Sequence, residues 1–356
     1  MGWSLRFWGK GDKDTDKDNE VSQASDSISG DSLRSGGDPH LSAKYDDAEI
    51  SEALSDKDIT PVKVKGEKLA TQTPLITAGM PDALIEEKPN LRLSPYDLER
   101  GNYCSNVLAL CHNAVRREIV DWEVDVFPGM ERVVEKESAE GNECGMEVVA
   151  VAGKLGMWWS GFARLILCGS LVEDMIVKKA FEDIYVGYGK ETKDIEKKHK
   201  RCVEKNTVQL ETAIRRVDRS MRTLEDMNED DDIHEMMADL KRTWDAFTGM
   251  LLDMYNGSEQ LIASIDKFVR EPIEYEDLEE EAARVFITKK KWGQDSEKKR
   301  GELLVSLTRW MGDESFMRRW ASDNLSKKEA KRFEVWMNDY RKGRAAIVEG
   351  FHQHRA

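Results

Sequence analysis

Proline placement constrains this chain more than any other feature. Six of the eight prolines, at 39, 61, 74, 81, 89 and 95, precede residue 96, and beyond Pro128 the only other is Pro272. A proline inside a helix removes a backbone donor and drives its ring against the carbonyl one turn earlier, so long helices need proline-free intervals. Aromatic residues divide the chain in a similar way. Eight of the ten tryptophans lie beyond residue 120, and neither Phe nor Trp occurs from residue 9 to residue 121. One third of the chain therefore lacks the means to build a core, and two thirds are expected to be nearly continuous helix.

Charge and apolar runs then narrow the function classes. With 69 acids against 54 bases the net charge is −15, which argues against nucleic acid as a partner, because phosphate contacts need clustered Lys and Arg. The most apolar stretch, Glu147 to Val177, is broken by Lys154, Arg164, Glu173 and Asp174, so no transmembrane segment is expected. The N-terminus has no apolar core of a secretory signal. Five cysteines without CxxC spacing fit reduced thiols, and a cytoplasmic location is expected.

Residues 1–92 hold 18 acids and 12 bases and are expected to form a disordered acidic tail, since ordering them would cost backbone entropy with little apolar burial in return. Within residues 1–11, Trp3, Leu5, Phe7 and Trp8 with Arg6 and Lys10 suit a membrane headgroup layer; a docking peptide or a passive tail is the favoured reading. Gly2 raises N-myristoylation, but that pattern wants Ser or Thr where Arg6 stands.

Four helical stretches follow. Ser94-Pro95-Tyr96-Asp97 reads as a helix start, with a capping hydroxyl, Pro in the first turn and an acid near the N-terminus. Helix A then carries Leu108, His112, Val115, Ile119 and Trp122 on one face and is expected to stop at Phe127-Pro128-Gly129. Helix B, about 146–185, turns Phe162, Ile166, Gly169, Glu173, Ile176 and Ala180 inward. Helix C, about 190–227, aligns Ile195, His199, Cys202, Asn206, Leu210, Ala213 and Val217. Helix D, about 233–270, aligns Phe247, Leu251, Met254, Ser258, Leu261, Ile265 and Phe268 before Glu271-Pro272. Four amphipathic helices with mostly short connections predict an all-α, up-down four-helix bundle over residues 93–271. Residues 272–356 form a helical extension, with Ser326 and Glu329 as a capping box, whose apolar faces need the bundle as a partner.

The helix A phrase from Tyr96 through His112-Asn-Ala-Val-Arg-Arg-Glu118-Ile119 resembles the first helix of the hemerythrin-like (HHE cation-binding) family, with its His-x-x-Leu-Arg-Arg-Glu-Leu. Trp159 to Ile176, Glu196-Lys-Lys-His199 and Met254 to Phe268 are similar to that family's second, third and fourth helices. The resemblance implies a four-helix bundle around a two-iron site that binds dioxygen or senses iron or redox state. His112, Glu173 and His199 match ligand positions, whereas Gly169, Met254 and Ser258 stand where His and a carboxylate belong. About half the set is present, so a degenerate site and a role in protein interaction or regulation, without catalysis, are expected. Three states of the trio stay open: a buried His–Glu–His hydrogen-bonded cluster, a mononuclear zinc or iron site with Cys202, and a two-iron site completed by Asp253 or Glu259. A helical scaffold unrelated to hemerythrins is a further alternative. His352 and His354 offer a terminal metal-binding tip or two solvated side chains, and Cys104, Cys111, Cys168 and Cys202 offer redox pairs or small buried hydrophobes.

Overall fold

Beyond residue 103 the described backbone is almost entirely helical, as the scarcity of proline requires. In a computed structural model of the chain, the described residues are 81–98, 103–141, 145–188, 192–228, 231–268, 275, 277–287 and 297–355, and side chains within 181–205 and 264–268 fall outside the description. The first 80 residues of the expected acidic tail lie outside the described residues. Among the described residues there is no strand, and no helix is long and apolar enough to cross a membrane.

Helix α1 (Asp82–Glu87) and a 3-10 turn (Pro89–Leu91) precede the long helices. Leu91 is buried, so folded structure begins upstream of residue 92. Residues 93–97 are not helical, and the next α-helix, α2, runs Cys104–Asp121. The local start signal at Ser94 is overridden by tertiary partners. The Ser94 N–H donates to Asn113 Oδ1 at 2.7 Å, and Asn113 Nδ2 donates to the Ser94 carbonyl at 2.8 Å.

Pro128 does not end helix A. A five-residue π-turn, Trp122–Val126, follows α2 and leads directly into α3 (Phe127–Ala139). The Phe127 N–H donates to the Trp122 carbonyl, five residues back. Widening the turn ahead of Pro128 accommodates the lost donor and the bulky ring without breaking the axis. The same device recurs at Arg341–Ala345, between α10 and α11.

Helices α4 (Met146–Tyr188), α5 (Thr192–Glu225) and α6 (Ile233–Phe268) follow through short connections. Asp232 caps α6 by accepting from the N–H groups of His234 and Glu235 at 3.0 and 3.1 Å. Helix α4 packs against α2 and α5, and α6 packs against α5 and α2. The core between them is built on aromatic rings: Trp122, Trp158 and Trp244 are fully buried, with Trp122 stacked on Trp244 at 4.1 Å and on Trp158 at 5.6 Å.

The extension comprises α7 (Leu278–Ile287), α8 (Glu297–Thr308) leading into a 3-10 turn (Arg309–Met311), α9 (Glu314–Asn324), α10 (Lys327–Tyr340) and α11 (Ala346–Arg355). The capping box is present: Ser326 Oγ accepts from the Glu329 N–H and the Glu329 carboxylate accepts from the Ser326 N–H. The apolar faces find their partner in the long helices. Helix α8 lies on α2 and α4, and α11 lies on α3 and the π-turn. The α3–α11 approach is so close that a Cβ at Gly129 would meet the Phe351 carbonyl oxygen at 2.3 Å.

Candidate functional site

The inward polar positions of α2, α4 and α6 do converge. His112 on α2 is 1% exposed, and its Nδ1 lies 2.8 Å from Glu259 Oε1 on α6. Its ring stacks on Tyr255, one turn before Glu259, at 3.9 Å and 11°. On the other side, Nε2 lies 3.8 Å from Glu173 Oε2 on α4, too far for a direct hydrogen bond, and has no hydrogen-bond partner. The other oxygen of Glu173 accepts from the Ser258 hydroxyl.

Arg116, one turn beyond His112 and also 1% exposed, completes the arrangement. Its Nη1 lies 2.7 Å from Glu259 Oε1 and its Nη2 lies 3.2 Å from Oε2, a bidentate pair. The remaining donors are used as well. Nη1 reaches Ser94 Oγ at 2.8 Å, Nη2 reaches Asn256 Oδ1 at 3.2 Å, and Nε reaches the Asn90 carbonyl at 3.2 Å. The segment leading into α2 thus wraps over the guanidinium and seals it in.

The electrostatics follow from this geometry. Burial opposes charge on His112, but the Glu259 hydrogen bond and the nearby charges of Glu173 and Glu259 outweigh it and hold its pKa above the ordinary value. Burial likewise opposes charge on Glu259, yet hydrogen bonds from His112 and Arg116, with their charges, bring its pKa down to about 2. A guanidinium, an imidazole and two carboxyl groups therefore face one another across three helices. The neighbouring Cys111 thiol is pushed up by burial and by Glu173 and Glu279, which keeps it protonated.

The predicted trio is brought together in part. His112 and Glu173 meet; the side chains of His199 and Cys202 lie outside the described residues. Glu259, one of the two candidates for completing a two-iron set, lies closer to His112 than Glu173 does, whereas Asp253 is exposed. Gly169 stands beside Cys111, with room for a Cβ at 3.7 Å from the Cys111 Cβ. Met254 is only partly buried against the core.

Among the described residues, the side chains at this layer do not make up the donor set of a two-iron centre. One imidazole nitrogen faces one carboxylate oxygen, Ser258 spends its hydroxyl as a donor to that carboxylate, and Glu259 is already shared by an imidazole and a guanidinium. A metal dication would have to enter beside a fixed buried positive charge. Among the described residues, no three His, Cys, Asp or Glu side chains are grouped to hold a metal ion. The C-terminal histidines face carboxylates: His352 Nδ1 lies 2.8 Å from Asp125 and His354 Nδ1 3.9 Å from Glu147. Cys104, Cys111 and Cys168 are buried and not joined in a disulfide.

A second buried charge cluster had no sequence signature. Glu118 on α2 is fully buried and accepts from Arg344 Nη2 at 2.6 Å, while Arg309 Nε lies 3.2 Å away. Arg309 also donates to Asp121. Arg344 Nη1 donates to the Trp158 carbonyl at 2.6 Å. Burial would raise the Glu118 pKa, but Arg309, Arg344 and Arg117 hold it below the ordinary carboxylate value.

Compared with protein-family models, curated proteins and solved structures, the chain finds no match. The functional reading therefore rests on its own residues.

Proposed function

We propose that the four long helices form an up-down, hemerythrin-like four-helix bundle whose inward polar site is degenerate, and that the protein acts in interaction or regulation without catalysis. One observation carries this reading. The Arg116 guanidinium occupies the polar layer and pairs with both oxygens of Glu259, so that carboxylate has a cation without a metal. Arginine is fixed in charge and its fork matches a carboxylate, which supports a structural role for the Arg116–Glu259 pair. A recess of about 520 Å³ opens at the C-terminal end of α5, among Arg215, Asp218, Arg219 and Arg222. The buried cysteines without disulfides suit a reducing compartment, the cytoplasm, and a protein partner is the expected ligand.

A mononuclear metal site is the second reading, favoured by the buried, unpartnered Nε2 of His112 beside Glu173. Elemental analysis of the purified full chain separates the two. Sub-stoichiometric iron and zinc, with an unchanged melting curve after chelation, is the expected result. One equivalent of either metal retained through dialysis and lost in His112→Ala would overturn the degenerate-site reading.

A further inference from the structure

The C-terminal helices carry charge of the opposite sign to the rest of the chain. Residues 297–356 hold 14 Lys and Arg against nine Asp and Glu, in a chain whose net charge is −15. Part of this excess is gathered on one exposed face. Lys328, Lys331 and Val335 follow one another at i, i+3 and i+7 along α10, and Lys342 lies two turns further on the same side. All four are exposed, Val335 to 58%, and none of the three lysines pairs with a carboxylate among the described residues. Arg332 beside them is paired with Glu297, and half-buried Asp339 is the acid bordering the face. An exposed β-branched side chain with Lys331 one turn before it and Lys328 and Lys342 two turns to either side fits an acidic peptide that brings its own apolar residue.

We propose that this face of α10 binds residues 46–58 of the same chain. That segment, Asp46-Asp-Ala-Glu-Ile-Ser-Glu-Ala-Leu-Ser-Asp-Lys-Asp58, holds six acids and one lysine. Its Ile50 and Leu54 are four apart, so helical spacing would set them side by side, flanked by Glu49 and Glu52. The complement is specific in kind: two aliphatic side chains for Val335, and carboxylates for Lys328, Lys331 and Lys342. Twenty-three residues separate Asp58 from Asp82, where α1 begins, and a chain of that length spans up to about 80 Å, ample for a domain of this size.

Tethering removes the usual objection to exposed ion pairs, which are individually weak. A linker of this length supplies an effective concentration of about 1 mM, so a contact of about 0.1 mM affinity would be formed about nine-tenths of the time. The same reasoning sets the intramolecular acidic segment above a polyanion. Nucleic acid or an anionic bilayer would meet the negative field of the whole chain, whereas the segment is already part of it.

Hydrogen exchange of the full chain, read by mass spectrometry on peptides covering residues 46–58, tests this. At low salt these amides should exchange about tenfold more slowly than in the variant Lys328→Glu/Lys331→Glu/Lys342→Glu, and 0.5 M salt should abolish the difference. Adding Asp47→Lys, Glu49→Lys and Glu52→Lys to that triple variant should restore protection, which loss of folding could not mimic. Equal exchange in the unaltered chain and the triple variant would overturn the proposal. So would unchanged exchange accompanied by loss of binding to phosphatidylserine vesicles or duplex DNA in the triple variant, which would assign the face to those ligands.

Discussion

Glu279 offers a direct test of the packing between the extension and the long helices. It is the second residue of α7, 3% exposed, and its carboxylate is held by neutral donors: Tyr96 Oη at 2.7 Å and Asn324 Nδ2 at 2.9 Å. Burial pushes its pKa up to about 7, against these hydrogen bonds and with the help of Asp323. The folded state therefore holds a proton that the unfolded chain releases near the ordinary value of 4.5. The stabilisation is fully present below about pH 4.5, declines as pH rises, and is gone above about pH 7. A shift of this size corresponds to about 3 kcal/mol, lost at up to about 1.4 kcal/mol per pH unit. Glu279→Gln keeps the shape and an acceptor for Tyr96 while removing the titration. Urea unfolding followed by far-ultraviolet circular dichroism at pH 5, 6, 7 and 8 should show the variant gaining on the wild type as pH rises, by about 2–3 kcal/mol between the extremes. A difference that is the same at pH 5 and pH 8 would refute the assignment of this proton to Glu279.

Three further substitutions probe the geometry. Gly169→Ala places its Cβ in ordinary contact with Cys111 and should stabilise by about 0.5–1 kcal/mol, seen as a raised melting temperature. Gly129→Ala drives a Cβ into the Phe351 carbonyl and should cost about 1–3 kcal/mol, with earlier proteolytic release of α11. Glu259→Gln should cost about 2–3 kcal/mol at pH 7, where the depressed carboxylate pKa contributes fully. That cost should shrink as pH falls from 4.5 towards 2 in the same urea assay; a cost independent of pH would argue that the Arg116 pair contributes nothing.

The helices were legible because their evidence is local: proline absence, apolar periodicity and the Ser326–Glu329 box. So were His112, Glu173 and Ser258 as polar residues on apolar faces. Arg116 and Glu118 were not singled out as buried, because a charged residue on a helix is ordinarily solvated and what buries these two comes from far along the chain. Arg116 is covered by Asn90, Ser94, Asn256 and Glu259; Glu118 waits for Arg309 and Arg344. Two local stop-and-start signals misled for the same reason. Ser94-Pro95 has the chemistry of a helix start, but Asn113 and Arg116 engage Ser94 instead. Pro128 has the chemistry of a stop, but a π-turn absorbs it.

Helix A thus carries two buried charge networks of opposite dependence, and this decides what the extension is. The Arg116 network is closed by α6, within the long helices. The Glu118 network is closed by Arg309 and Arg344, which belong to the extension. Without them, Glu118 and Asp121 would be buried carboxylates lacking two of their cations, a situation costing several kcal/mol. The extension is then a structural requirement of helix A. A double-mutant cycle isolates the term. Arg344→Met alone should cost about 3–5 kcal/mol, because it leaves Glu118 undercompensated and the Trp158 carbonyl without its donor. Glu118→Leu combined with Arg344→Met should recover a large part of that cost, since an apolar pair of similar volume replaces two buried charges. Unfolding free energies of the four proteins give the coupling directly. A double variant as unstable as the sum of its parts would show that Arg344 works through packing against Trp158, over whose ring it lies at 5.4 Å, and not through Glu118.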